Sequence, residues 1–435
     1  MEYGLTVLAV FLFLYAVSSK RLSLTILTGP LLFVSLGWLT GPSGLEIIAL
    51  PQDLSLATLL LETTLVLVLF TDAMGINTSR WREDASIPWR LLSIGLPLTL
   101  VAGWGLALVM FSDLGLWEAA LVAIILAPTD AALGQAVVSN PRVPQRIRQG
   151  LNVESGLNDG IALPVFIVFL DAAEASEGSL TLATLLGEIA KELGIALGVG
   201  LVLGWLAAKL IIWARDRDWV ADGWDQVALL GAAFAAWSLG DTLGGSGFIA
   251  AWVAGLLLGR SLRDARITLF AEGTSHILTL LSFFVFGSFV LGQAISVLTW
   301  ELALYAILSL TIIRMVPVAA AMIGSGLRAP SLLYMGWFGP RGLASIILVA
   351  TIVLESDLAG ASTISLIMTV TVGLSIYAHG VTAWWGSNRY ADWYESRSDY
   401  HGEMPESADV PDVPVSRRLG HAVSSDEEDG TLETR

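Results

Sequence analysis

The sequence predicts an all-α protein that crosses a membrane many times, and three observations carry that prediction. Hydrophobic residues make up 55% of the 435 positions, charged residues only 14%, and the mean hydropathy is +0.71. Soluble domains hold roughly 45–50% apolar and about 25% charged residues. The apolar residues lie in blocks of about 17–25, the helix length that crosses roughly 30 Å of hydrocarbon. Basic residues collect in every second connection between blocks, as cytoplasmic loops do. Short segments of alternating polarity, the mark of an outer-membrane barrel, are not seen.

Taken in order, thirteen spans are expected, near residues 3–18, 22–40, 54–74, 89–111, 116–138, 150–171, 185–214, 224–240, 246–260, 274–292, 300–323, 331–354 and 361–385. The first lacks a basic leading region and a small-residue cleavage site, so it is read as a retained helix. Lys20 and Arg21 follow span one, Arg80, Arg82 and Arg90 span three, and Arg142, Arg146 and Arg148 span five. Arg215 and Arg217 follow span seven, Arg260, Arg263 and Arg266 span nine, and Arg328 span eleven. The alternate connections carry Asp53, Asp113, Asp171, Glu174, Asp241, Glu355 and Asp357, with Lys191 the one basic residue near them. This charge pattern orients the chain in a plasma or inner membrane with its N-terminus outside and its C-terminus cytoplasmic.

From Ser387 onward the sequence turns polar. Twelve Asp and Glu stand against five Arg there, so this stretch supplies −7 of the formal charge of −16. With Pro405, Pro411, Pro414 and the run SSDEEDG, it holds too little apolar surface to offset the entropy of ordering. The expected division is a membrane domain over 1–386 and a disordered acidic tail over 387–435, the tail being either a solvated spacer or a regulatory segment. The absence of cysteine and the scatter of four histidines argue against disulfide, thiolate and zinc chemistry. No G-x-x-x-x-G-K-[ST] loop is present, so an ion gradient rather than ATP is the expected driving force. No cofactor and no nucleic-acid partner are expected; membrane lipid surrounds the chain.

Charges inside hydrocarbon cost at least ~2.5–3.5 kcal/mol each and are functional by default. Asp130, Glu154, Asp159, Arg314 and Arg341 stand out in this way; Glu62 and Asp72 in span three are structural or functional with equal weight. Span five reads LVAIILAPTDAALGQAVV, where Pro128 disturbs the helix just before Asp130. Thr129 and freed carbonyls then become oxygen ligands of the kind hard cations require. The plainer reading is a proline kink with Asp130 capping the second half-helix. Span six opens NVESGLNDGIALPV, placing Ser155 and Asp159 on one stripe and Glu154 and Asn158 on the next, about 100° round. Ser155 and Asp159 are expected to face an ion, and Arg341 to pair with Glu154. Span twelve contains GWFGPRGLASIILV, interrupted around Arg341 by Gly339, Pro340 and Gly342. The two interrupted spans run in opposite directions, as inverted repeats around a midplane ion site do. Arg314, in TIIRMVPV, either balances the carboxylates or snorkels to the interface.

APTDA, NVESGLNDG and GPRGLAS, in this order, resemble the monovalent cation:proton antiporter family, in its sodium/proton exchanger branch with an Asn-Asp pair in the sixth helix. The resemblance covers about residues 5–385. It implies a homodimer whose protomers each hold a core bundle with two crossing broken helices and a separate dimerisation bundle. It implies that Asp159 exchanges proton and cation, that Asp130, Thr129 and Ser155 complete the ion site, and that Glu154, Asn158 and Arg341 form a supporting polar cluster. Arg314 matches the family's basic residue on the preceding helix, and Asp72 matches no family role. The Asn-Asp pair resembles the electroneutral branch, one cation for one proton. The expected function is thus secondary antiport of a monovalent cation, Na⁺ first with Li⁺ and K⁺ the other candidates, against H⁺. A cation channel is the alternative, separated by stoichiometric coupling of flux to protons. An intramembrane aspartyl protease is more remote: no Gly-x-Gly-Asp occurs at either aspartate, and buried arginines have no place in that chemistry.

Overall fold

The structure is a computed structural model that describes residues 2–22, 25–48, 55–75, 86–177, 182–262, 267–397 and 404–408. Regular structure among the described residues is helical throughout. In chain order the helices are α1 (Glu2–Leu22), α2 (Gly29–Thr40), α3 (Ser55–Gly75), α4 (Ser86–Met110), α5 (Leu116–Ile125), α6 (Ala131–Val138), α7 (Gln145–Glu177) and α8 (Leu182–Arg215). They continue with α9 (Trp224–Thr242), α10 (Gly247–Ser261), α11 (Leu269–Ser296), α12 (Trp300–Ala321), α13 (Ala329–Trp337), α14 (Leu343–Glu355) and α15 (Ala361–Glu395). A short 3-10 turn, Pro405–Ser407, follows.

Each of the thirteen expected spans contains helix. By length and composition, however, eight helices among the described residues suffice to cross a membrane: α1, α3, α4, α7, α8, α11, α12 and α15. The difference lies in α2, α9 and α10 and in spans five and twelve, which are each two short helices around a non-helical stretch. Leu126–Asp130 separates α5 from α6, and Phe338–Gly342 separates α13 from α14. Prolines explain both breaks. Pro128 and Pro340 lack the N–H that would continue the ladder and push the preceding residue out of the helical region.

Apart from α1, whose Phe11 and Tyr15 rest on Phe33 of α2, the helices pack as two groups. One comprises α2, α3, α8, α9, α10 and α11; the other comprises α4 to α7 and α12 to α15. A shared apolar core runs between them through Phe33, Leu65, Phe166, Phe283, Ile347 and Val372. One end of the second group gathers the starts of α4 and α7 and the ends of α12 and α15. There Arg90 donates to the carbonyls of Ala321 (3.2 Å) and Ile323 (2.7 Å). Arg142 donates to Asp392 (2.5 Å) and to both oxygens of Glu395 (2.8 and 2.7 Å). At the opposite end Glu118 accepts the N–H groups of Gly115 (2.7 Å) and Gly360 (2.6 Å), and Asp113 accepts the Thr363 hydroxyl (2.8 Å).

The expected domain boundary at 386/387 falls inside α15. Ser387, Tyr390 and Ala391 are buried, and the helix runs on to Glu395 because Tyr390 and Ala391 face an apolar cluster with Tyr334 and Val137. Asp53, Arg80, Arg82, Arg263, Arg266 and residues 409–435 lie outside the described residues.

Candidate ion site at two crossing breaks

Asp130 sits where two half-helices begin. Its Oδ1 accepts the N–H of Leu133 (3.1 Å) in the first turn of α6, and its Oδ2 accepts the N–H of Leu343 (2.7 Å), the first residue of α14. The Asp130 N–H donates to the Pro340 carbonyl (2.8 Å), locking one break against the other. Gly342 makes this approach feasible: a Cβ there would overlap the Asp130 carboxylate. Arg341 does the reverse at a helix end. Its Nη1 donates to the carbonyls of Ala127 (2.7 Å) and Pro128 (2.9 Å), just past α5, and the Ser345 hydroxyl donates to Ile125 O (2.7 Å). The anion thus lies at converging N-termini and the cation at a C-terminus, the signs that helix dipoles favour.

Against these breaks lies α7. The Ser155 hydroxyl is 3.0 Å from that of Thr129, and the Asn158 amide donates to Thr129 Oγ1 (2.7 Å). Asp159 follows Ser155 by one turn and is half-buried. A narrow cleft lined by Gly134, Val137, Leu151, Asn152, Ser155 and Pro340 lies between this group and the α6–α7 turn. On the other side, Trp252 of α10 lies directly on Gly160, where a Cβ would overlap the indole. The two helix groups therefore meet one residue from Asp159.

Two expectations are corrected here. The partner of Glu154 is Arg314, not Arg341: Arg314 Nη1 and Nη2 donate to Glu154 Oε1 and Oε2 at 2.6 and 2.8 Å, with the side chains 2% and 3% exposed. Arg341 is instead occupied by the carbonyls of the opposing break, and Arg314 does not snorkel. Nor do Glu154 and Asn158 act as one stripe. Residues four apart on a helix still differ by about 40° in direction, and Asn158 reaches back to Thr129. Glu62 and Asp72 are partly buried on α3.

Sequence reasoning missed two buried groups. Glu118 ties the start of α5 to that of α15. A glutamate three residues after the N-cap Gly115 is the one local signal, because its carboxylate can reach back to the N-cap N–H although the glycine has no side chain to complete a capping box. His379 lies beneath the second break, with Nε2 2.9 Å from Trp337 O and Nδ1 3.1 Å from Ser375 Oγ, which accepts the Arg341 N–H (2.7 Å). No local pattern marks His379, because its partners belong to the fold.

Two interrupted helices that meet at their breaks, with buried charges matched to their dipoles and two hydroxyls together at the first break, are the arrangement of secondary membrane carriers. Within that class the chain belongs to the sodium/hydrogen exchanger family, described as "Sodium/hydrogen exchanger, transmembrane", which it matches over residues 7–385. The K(+)/H(+) antiporter NhaP2 of Shewanella sp. (strain ANA-3) is 27% identical over 241 residues, 55% of this chain and 40% of that protein. The Na(+)/H(+) antiporter ApNhaP of Aphanothece halophytica is 32% identical over 203 residues, 46% of this chain and 37% of that protein. The chain thus spans about 40% of the length of the curated relatives it matches. The sodium proton antiporter MjNhaP1 from Methanocaldococcus jannaschii shares the fold, with a TM-score of 0.67 at 21% identity over 83% of this chain and 92% of that one.

Proposed function

We propose that the chain is a secondary antiporter that exchanges one monovalent cation, Na⁺ or K⁺, for one proton, with Asp159 as the carboxylate both occupy. The observation that carries this reading is the meeting of Thr129 and Ser155 at the first break, one helical turn from Asp159. Two hydroxyls and a nearby carboxylate form an oxygen donor set suited to a hard cation. The neighbouring charges are balanced in place. Glu154 is paired with Arg314, Asp130 with two helix N-termini, and Arg341 with helix C-terminal carbonyls. Asp130 therefore shapes the wall of the site, and Asn158 holds the Thr129 oxygen in position.

A proton on Asp159 excludes the cation, and a bound cation excludes the proton. Each occupied form is neutral at this carboxylate, so it crosses the low-dielectric barrier more readily than the empty, charged form. One-for-one exchange follows, and it moves no net charge. The small cleft beside Ser155 lies on the side of the breaks where α6 turns into α7, toward the end of the molecule that bears Arg142 and Arg146. Loop charge supports a cytoplasmic assignment for that end and an external N-terminus. Exposed apolar residues of α1, such as Leu5, Phe13 and Val17, support a lipid- or subunit-facing helix in a homodimer.

The test is proteoliposome exchange, with internal pH followed under Na⁺, Li⁺ or K⁺ gradients. Wild-type protein is expected to move protons only against its cation, insensitive to membrane potential, with apparent cation affinity falling as pH falls. Asp159→Asn retains shape but loses charge and titration, and is expected to abolish exchange for every cation. Persistent cation-driven proton movement in folded Asp159→Asn protein overturns the assignment, and cation flux uncoupled from protons points to a channel.

A further inference from the structure

The site described above makes no use of the chain beyond α15, yet residues 404–408 are packed into the fold. Met404 is 3% exposed and Glu406 1%. Glu406 Oε1 accepts the N–H of Arg328 (2.8 Å) and the hydroxyl of Ser331 (2.7 Å), at the start of α13. No side chain of Arg328 caps that helix, so a carboxylate 75 residues away from Ser331 occupies the place of an N-cap group. The positive end of α13 favours its charge. On either side of Glu406, Pro405 O accepts from Arg146 Nη1 (2.5 Å) on the first turn of α7, and the Ser407 hydroxyl meets that of Tyr394 (2.8 Å) on α15.

The seat of this segment is continuous with the half-helices. Ser331 Oγ also meets the Tyr390 hydroxyl (2.9 Å), and Tyr390 stacks on Tyr334 with ring centroids 4.3 Å apart. The Tyr334 hydroxyl donates to Val137 O (3.3 Å) near the end of α6. The chain of contacts thus fastens the outer ends of α13 and α6, the half-helices that lead into the two breaks. Val137 also lines the cleft with Ser155.

We propose that the surface formed by Arg146, Arg328, Ser331 and Tyr394 is a docking site for the segment Met404–Ala408 of this same chain, with Glu406 as its anchor, and that its seating tightens cation binding at the breaks. The link to cation binding rests on the antiport reading; the docking does not. The Glu406 carboxylate at a helix N-terminus, flanked by the Arg146 guanidinium on the Pro405 carbonyl, supplies the complementarity. The segment acts on the site through α13 and α6 without touching the ion.

The chain contains no cysteine, so Met404→Cys is a clean reporter in the purified full-length protein. Docking is expected to protect Cys at 404 from a maleimide. Adding Glu406→Ala should accelerate labelling roughly tenfold, the scale of one lost cap, and Glu406→Gln should fall between, since its amide oxygen still accepts both bonds. Rapid labelling of the single variant, or no acceleration by Glu406→Ala, overturns the docking. In proteoliposomes, Glu406→Ala and a chain ended after Arg397 are both expected to raise the half-saturating cation concentration several-fold with little change in maximal rate. Accelerated labelling with unchanged cation dependence overturns the link to the ion site. Absence of exchange in the unaltered protein counts against the antiport reading, and labelling still decides the docking.

Discussion

Glu154 and Arg314 are held away from water, so removing either leaves the other as an uncompensated charge. Arg314→Ala is expected to destabilise the protein by about 3–5 kcal/mol, read as a lower melting temperature in detergent. Adding Glu154→Gln should recover part of that loss, and strict additivity of the two would show the side chains to be independent. The same second substitution should not rescue Arg341→Ala, whose lost bonds are to Ala127 and Pro128 carbonyls. Gly160 poses a steric question instead. Gly160→Ala drives a methyl into the Trp252 indole, and overpacking of this kind costs about 1–3 kcal/mol. Because the contact joins the two helix groups beside Asp159, exchange should slow by more than the loss of folded protein explains. Unimpaired exchange by this variant would show that Trp252 moves aside freely.

At the scale of elements, the half-helices depend on polar groups supplied by one another. Alone, α6 and α13 are eight and nine residues long, too short to be stable by propensity. Asp130 serves α6 and α14 together, so Asp130→Ala removes two caps worth about 0.5–2 kcal/mol each. Asp130→Asn keeps one carbonyl acceptor and should lose roughly half as much. Thermal melts of the two variants check this ordering; equal losses would mean that charge rather than hydrogen bonding holds the breaks. The last turn of α15 is fastened more lightly. There the Arg142 guanidinium holds the Glu395 carboxyl below its usual range by hydrogen bonding. That contribution is present at neutral pH and fades as the carboxyl is protonated in acid. Both groups are exposed, so solvent screens it.

For the whole molecule, the distribution of charge between its two ends makes a topological prediction. A reporter placed after Arg148 should lie in the cytoplasm and one inserted near Ser176 outside, because Arg142, Arg146 and Arg148 flank one and Asp171 and Glu174 the other. Accessibility of both from the same side would remove α7 as a crossing helix and with it the inverted arrangement of the breaks. The two helix groups meet through an interface that includes Trp252 and Gly160, the residue after Asp159.

Composition and loop charge were enough to determine an all-helical membrane chain, because hydrocarbon demands long apolar helices whatever their neighbours. Proline and glycine located both breaks, since their backbone effects are local. Spacing placed Ser155 and Asp159 one turn apart on α7 for the same reason. Periodicity carries no information about which of two arginines turns toward Glu154. That choice, across 160 residues of sequence, depends on how α12 is rotated against α7 and on the carbonyls that occupy Arg341. The continuation of α15 past Ser387 and the seating of Glu406 on α13 were likewise illegible, because a polar, acidic stretch reads as solvated until a helix N-terminus is folded to receive it. Local chemistry determined the elements, and tertiary packing alone decided the partners, because a buried charge takes whichever counter-group the fold brings within hydrogen-bond reach.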